Sequence, residues 1–420
     1  MFDGAMVGGV RPVKYLPLVV IKMKFCLVST SIKNTTGYSK VAYNLLRQLA
    51  KVEGLEVFHY AFQFHPSNFP LRAAVEGVTT QEHRDFDYDK LHAFCKKHKF
   101  GKDDIVMIYN DIGIVLNYMK AWCPPRLWVY LDTVCEGIAP ALLRHLEEKT
   151  ERIYVFSPHW KSIYDFKNVR VLEHGVDTEV FKPVETTAIR EKMKLPDDAI
   201  VFLNANRNSK RKRLDLTISA FIQLCKRRPE MPLYLVLLTV NENGGFYDFQ
   251  SLIYHECRKH DFFAASKRIL LVDTGKIVMT DEAVNEFYAL ADIGVNSSTG
   301  EGYGLTALEH ASLGKPQVLT HLPQYDDFMP SNAVAYADDI GEREYLEKTD
   351  YFGAYQPVFL AKDISVAMEK ALDLRGKVSF TPKSWEEVCK DFVKDIAGLP
   401  APAPITSADR QETIVPMIDG

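Results

Sequence analysis

No two cysteines of this 420-residue chain stand in a CxxC pair, and the seven it has (26, 95, 123, 135, 225, 257 and 389) are scattered and odd in number. That pattern excludes a disulfide framework and the common zinc spacings, and it suits a reducing compartment. Long apolar runs are missing too. The strongest near the start, residues 15–21, is broken by Pro17 and falls far short of the roughly 20 residues that span a bilayer. No small-residue cleavage site follows it, so a secretory leader is not expected. An excess of one charge is also absent. With 51 Lys and Arg against 55 Asp and Glu the net charge is −4, which excludes a chain built throughout to coat nucleic acid or an anionic membrane. What is present is an ordinary globular mixture, 47% hydrophobic and 25% charged, ample for sizeable cores.

Short apolar runs alternate with helical periodicity along the chain, the pattern of parallel βαβ units. Strands are predicted at 25–29, 55–61, 105–109, 127–131, 153–156 and 169–172, each rich in Val, Ile, Leu and aromatics, as strands covered on both faces are. Between them, 39–52 carries Val41, Leu45, Leu46 and Leu49 at helical spacing, and 87–99 carries Leu91, Phe94 and Cys95 on one face. A turn-rich break at 173–185 separates this series from a second, with strands at 199–205, 233–238, 269–272, 293–296 and 317–320. The reading is an α/β chain of two doubly wound, Rossmann-like domains facing across a cleft. The first takes 23–173 and the second 174–383, and a helix at 384–397 crosses back to the first. Residues 1–22 are expected to be a disordered extension, because Met23-Lys-Phe-Cys reads like a natural start. The Pro-rich 398–420 is expected to be a disordered tail.

Open α/β sheets bind ligands at the C-terminal ends of their strands, and two strand ends carry unusual residues. The stretch Asn296-Ser-Ser-Thr-Gly-Glu-Gly-Tyr-Gly-Leu305 leaves a strand, passes Gly300, Gly302 and Gly304, and enters a helix. Such glycines let backbone N–H groups approach phosphate or sugar oxygens at the positive end of a helix. Glu301 and Glu309, eight positions apart, can accept hydrogen bonds from hydroxyl pairs at the two ends of an extended ligand. A plain glycine-rich turn with two solvated glutamates has the same sequence. The second stretch, Asn204 to Asp215, places Arg207 at a strand end and Lys212 five residues on, a natural clamp for a diphosphate. The run Lys210–Arg213 also reads as a solvated face or a nucleic-acid patch. No aromatics interleave with it and the helix after it turns apolar at once, so a nucleic-acid partner is not expected.

Together these motifs resemble the family 4 retaining glycosyltransferases of GT-B fold. The Arg207-x4-Lys212 pair, the E-x7-E motif of Glu301-Gly-Tyr-Gly-Leu305 and Glu309, the Ala311-Ser-Leu-Gly-Lys-Pro316 segment and the hinge His174-Gly-Val-Asp177 through Phe181 and Pro183 carry the resemblance. It spans about residues 24–397, and the strand ending Asn110-Asp111 is most similar to the branch found in large DNA viruses. The resemblance implies transfer of a hexose from a GDP- or UDP-sugar to a sugar, glycan or lipid-linked acceptor. It implies no metal or other cofactor, and no Asp-x-Asp pair closes a predicted strand to hold one. Arg207 and Lys212 inherit the diphosphate, Glu301 the transferred sugar and Glu309 the ribose hydroxyls. Backbone amides of Gly302, Tyr303, Gly304 and Leu305 would cover sugar and phosphates, with Gly37 of Thr36-Gly37-Tyr38-Ser39 lying against the phosphates.

One departure matters. Where the family often has a His at the end of a first-domain strand, this chain has Asp132, with Asn110 and Asp111 ending the strand before it. All three are candidate sugar contacts, and all three could equally cap strand ends. Lys40, Arg47 and Lys51 on the first helix offer a thin patch for peripheral membrane contact. A catalytically silent sugar-nucleotide-binding protein is the alternative to an enzyme, and it would be expected to have lost Arg207, Lys212 or Glu301. The expected location is cytoplasmic.

Overall fold

The computed structural model describes residues 23–398 except 65–71, 135, 165, 242–244, 278 and 349–351. The extension expected at 1–22 and the tail expected beyond Gly398 lie outside the described residues. The first part of the chain supplies β1 (Met23–Thr30), β2 (Leu55–Phe62), β3 (Val78–Glu82), β4 (Ile105–Asp111), β5 (Leu127–Asp132), β6 (Glu136–Ile138), β7 (Arg152–Val155) and β8 (Val169–Val171). All but β6 join one seven-stranded sheet in the order β3-β2-β1-β4-β5-β7-β8, every pair parallel. The central strands are buried on both faces (Phe25, Leu27, Ile108, Trp128 and Val129 are all inaccessible), which is why their sequences read as unbroken apolar runs.

The second sheet takes β9 (Ile200–Asn204), β10 (Leu233–Thr239), β11 (Ile269–Asp273), β12 (Ile293–Asn296), β13 (Gln317–Thr320) and β14 (Val334–Ala337). Its six strands lie in the order β11-β10-β9-β12-β13-β14, again all parallel. In each sheet the strand order reverses beside the first strand, between β1 and β4 and between β9 and β12. Loops leaving two such strands run apart and open a crevice at their carboxyl ends. In the second sheet those loops are 205–212 and 297–304, so the topology alone brings Lys212 and Glu301 to one place.

Two elements tie the halves together. The hairpin of β15 (Arg343–Lys348) and β16 (Phe352–Pro357) leaves the second half and pairs antiparallel with β6, Phe352 against Ile138 and Tyr355 against Glu136. This small sheet therefore has strands from both halves. The helix Trp385–Gly398 returns to the first sheet, where Phe392 packs edge-on to Phe25 at 5.9 Å and to Tyr154 at 5.2 Å. It passes the hinge so closely that a Cβ on Gly175 would stand 2.5 Å from the Trp385 amide nitrogen. Beside that glycine Val176 N–H donates to the Lys383 carbonyl at 2.9 Å.

Candidate active site

Lys212 ends a short 3-10 turn, Lys210–Lys212, between β9 and the helix Leu214–Arg227. The loop after β12 is laced to that turn. Ser297 Oγ donates to the Arg213 carbonyl at 2.8 Å and Thr299 N–H to the Arg211 carbonyl at 3.0 Å. The lacing sets Glu301 against Lys212, and the two meet as an ion pair between Nζ and Oε1. Asn296 Nδ2, at the end of β12, donates to the same Glu301 oxygen at 2.9 Å, and Arg211 Nη1 lies 3.4 Å from the other. Gln324 Nε2 donates to the Glu301 carbonyl at 2.6 Å.

Both charges are buried. Burial opposes ionisation of Glu301, but Lys212 first and Arg211 second outweigh it and hold the carboxyl at about 2. Burial brings Lys212 down to about 8 against the pull of Glu301, with Arg211 and Arg207 adding like-charge repulsion. At neutral pH the pair is ionic. Arg207 is exposed near the start of the loop, and among the described residues its guanidinium makes no ion pair. Arg211, which the sequence places in a solvated run, is the arginine that touches Glu301. Arg213 in turn pairs with Asp215 at 2.9 Å. Of the basic run only Lys210 is fully exposed, so the segment is not a free cationic face.

The glycines of the loop are explained first by the other domain. A Cβ on Gly300 would stand 2.2 Å from the Val134 carbonyl, and one on Gly302 would stand 2.5 Å from Asp132 Oδ1 and 2.8 Å from the Phe156 ring. Trp160 Nε1 donates to the Gly302 carbonyl at 2.8 Å. Gly304 has φ +98° with Tyr325 against it. Leu305 begins the helix Leu305–Ala311 and faces Gly37 of the first helix, whose hypothetical Cβ lies 3.6 Å from Leu305 Cδ1. Tyr303 turns its ring away from the loop, stacked on Phe328 at 4.2 Å and near His174 at 4.8 Å.

Asp132 ends β5 and its Oδ1 is buried without a partner. Burial raises this carboxyl to about 6, offset in part by a hydrogen bond from Tyr38 and by the Arg211 charge. The structure brings Asp132, Glu301, Lys212 and Arg211 together. Asn110 and Asp111 behave otherwise. Asp111 Oδ1 accepts from Ile114 N–H at 3.1 Å as the cap of the next helix, and Asn110 Oδ1 accepts from Asp111 N–H at 3.0 Å. Both serve strand-end capping. His174, at the hinge, has neither ring nitrogen bonded. It packs as an aromatic against Phe156 at 4.5 Å, and burial lowers it to about 3.

Glu309 is buried on the helix after the loop, where Lys40 donates to it from the first domain at 2.6 Å. Arg47 pairs with Asp177 of the hinge at 2.7 Å. Two of the three cations read as a membrane-facing patch are thus turned inward, because the half-buried Asp177 of the hinge and the buried Glu309 of the second domain meet them. Among the described residues, no group of three or more His, Cys, Asp or Glu could hold a metal ion, and no helix is long and apolar enough to cross a membrane.

No family model matches the chain. A D-inositol 3-phosphate glycosyltransferase of Catenulispora acidiphila is 30% identical over 152 residues, 36% of this chain and 34% of that protein. The chain thus spans about a third of the length of that curated relative. The O-antigen biosynthesis glycosyltransferase WclY of Escherichia coli is 23% identical over 325 residues, 72% of this chain and 81% of its own. Among solved structures, the sucrose-phosphate synthase of Thermosynechococcus elongatus superposes with TM-score 0.62 at 13% identity, covering 89% of this chain and 94% of that one. A trehalose-6-phosphate structure from E. coli bound with UDP-2-fluoro glucose gives TM-score 0.61 at 12% identity over 90% and 99%. The chain has the GT-B fold, and its relatives are glycosyltransferases. Lys212 and Glu301, in the loops after β9 and β12, lie beside Asp132 at the end of β5, where the two halves of that fold pack together.

Proposed function

We propose that the chain is a retaining glycosyltransferase that moves a hexose from a GDP- or UDP-sugar to a sugar, glycan or lipid-linked acceptor. The observation that carries this reading is the buried Lys212–Glu301 pair at the carboxyl ends of the second sheet, set against Asp132 of the first. In this reading the diphosphate of the donor takes Lys212 and draws in Arg207, whose exposed position leaves it free to move. Glu301, released from its lysine, accepts from hydroxyls of the transferred sugar, and Asp132 accepts from another. Glu309 holds the ribose. Backbone amides from Gly302 to Leu305, with Gly37 opposite, lie along the phosphates.

The family resemblance implies front-face displacement. The bond from the anomeric carbon to the diphosphate oxygen breaks while the acceptor oxygen bonds to that carbon from the same face. The leaving diphosphate takes the acceptor's proton. Lys212 and Arg207 offset the negative charge growing on that oxygen, and donors of this kind are each worth a factor on the order of 10²–10³ in rate. Two cations in this position do the work that a divalent ion does elsewhere, so the reaction is proposed to need no metal. The site closes between domains, which excludes water as a competing acceptor. A cytoplasmic location belongs to the same reading, supported by the free thiols of Cys26, Cys95, Cys123, Cys225, Cys257 and Cys389.

The test is release of nucleoside diphosphate by the purified chain from a panel of GDP- and UDP-sugars, with acceptor sugars and with EDTA present. Acceptor-dependent release with one donor, unaffected by EDTA and giving a product of unchanged anomeric configuration, supports the reading. The alternative, a catalytically silent sugar-nucleotide-binding protein, would be expected to lack Arg207, Lys212 or Glu301, and the chain has all three. That reading predicts binding of the same nucleotides with no release.

A further inference from the structure

Glu309 is held by the domain it does not belong to. Lys40 Nζ, on the helix Gly37–Leu49, lies 2.6 Å from Glu309 Oε1 and 3.3 Å from Asp281 Oδ1, and 4.5 Å above the Phe181 ring. Asp281 Oδ2 also accepts from Arg72 Nε at 3.0 Å and Nη2 at 2.8 Å. Arg72 Nη1 donates to the Ile32 and Asn34 carbonyls at 3.2 and 3.0 Å, which fixes the loop leading into Gly37. Tyr288 Oη completes the group, 3.3 Å from Glu309 Oε2. Both cations belong to the first domain and both carboxylates to the second. Beside them a cavity of about 300 Å³ runs to the hinge, flanked by the Arg47–Asp177 pair.

Glu309 is 2% exposed and Arg72 8%. Buried charges of this kind are tolerated only when paired, and removing one partner leaves the other uncompensated. Parting the domains would leave two like charges on each face. The cluster is therefore stable only with the domains together, and its centre is the carboxylate read above as the ribose ligand.

We propose that Lys40 is a positioning residue for the nucleotide: reaching across the cleft, it keeps Glu309 oriented and ionised and, with Arg72 and Asp281, clasps the two domains around that carboxylate. The proposal rests on the reading of Glu309 as the group that binds ribose. Lys40 takes one carboxylate oxygen and leaves the other, shared with Tyr288, for a hydroxyl. The charged and titratable groups facing Glu309 are Lys40 from the first helix, Asp281 and Tyr288 from the helix Asp281–Leu290, and His310 next in its own helix. Burial raises the Glu309 carboxyl and Lys40 is the largest opposing influence.

The test uses the full chain with Lys40→Met and Lys40→Arg, titrated with GDP and UDP at pH 6 and pH 8, with small-angle scattering of the unliganded proteins. Lys40→Met is expected to weaken nucleotide binding about tenfold or more, and more at pH 6 than at pH 8, because burial already raises the Glu309 carboxyl and Lys40 opposes that rise. Its radius of gyration should exceed that of the wild type, and Lys40→Arg should restore both properties to a large extent. Binding weakened equally at both pH values, or unchanged binding with unchanged scattering, overturns the proposal. Failure of the wild type to bind either nucleotide overturns the ribose reading itself. The scattering of Lys40→Met separates the two failures, since expansion would still support the clasp.

Discussion

Lys212 and Glu301, 89 residues apart in sequence, form a buried ion pair at the carboxyl ends of two adjacent loops, and Asn296 donates to the same Glu301 oxygen at 2.9 Å. Neither residue has another opposite charge as close as its partner. In the proposed reading a donor diphosphate exchanges with this contact, so the pair is both a structural element and the proposed catalytic one.

Lys212→Met should therefore have two effects. Sugar transfer should fall by about 10²–10³ in kcat/KM, the usual loss for one electrostatic donor. Stability should fall as well, by up to about 3–5 kcal/mol for a broken buried pair, with Arg211 holding the loss toward the lower end. Lys212→Arg keeps a cation and should recover most of the stability. The pH profile separates the roles. Lys212, near 8 in the free protein, should give kcat/KM of the wild type a falling limb around that pH, which Lys212→Arg abolishes because arginine stays charged.

Asp132 makes a stability prediction of opposite sense to most carboxylates. Burial raises it to about 6, above the roughly 3.9 of an unfolded aspartate. The fold favours its neutral form, so its contribution is complete below about pH 4 and is lost as pH rises through 6. Asp132→Asn should have a higher Tm than the wild type at pH 8, and the two should converge near pH 4. A constant difference across that range would contradict the assignment.

Gly304 has φ +98° and a Tyr325 ring carbon 2.6 Å from where a Cβ would stand. Gly304→Ala should cost about 1–3 kcal/mol from backbone strain, plus the displacement of Tyr325. Gly300→Ala meets a backbone carbonyl of the other domain instead, Val134 O at 2.2 Å. It should open the cleft, measurable as a larger radius of gyration, while each domain keeps its fold.

Phe392 tests the crossing helix. Its ring packs on Phe25, Trp128 and Tyr154 at 5.2–6.1 Å, so Phe392→Ala should destabilise by about 3–5 kcal/mol in chemical denaturation. A loss under 1 kcal/mol would mean that the helix does not hold the first sheet.

The strands covered on both faces could be read from the sequence because they are apolar throughout; the exception is β14 (Val334–Ala337), four residues at the edge of the second sheet, which was not predicted. β3 (Val-Thr-Thr-Gln-Glu), the three-residue β6 and the β15–β16 hairpin could not, since β3 and β15 are polar, β6 is very short, and β16 carries Gly and Pro among its residues. Of the site, Lys212, Glu301 and Glu309 were legible as a spacing, and the reversal of strand order explains why that spacing converges. Arg211 was hidden inside a run of like charges, where composition does not say which side chain turns inward. The Lys40–Glu309 contact joins residues 269 apart on different domains, and no local pattern marks it. The glycines misled in part, since packing against Val134, Asp132 and Phe156 demands them before any ligand does.

The most direct test of the central claim is thermal stability measured against a panel of GDP- and UDP-sugars. A ligand bound only by the folded state stabilises it by about 2.7 kcal/mol at one hundred times its Kd. The account predicts a saturable rise in Tm with donors of one nucleotide class, without added metal, and loss of that rise in Lys212→Met. No shift with any sugar nucleotide at millimolar concentration, or an equal shift in the variant, would contradict it.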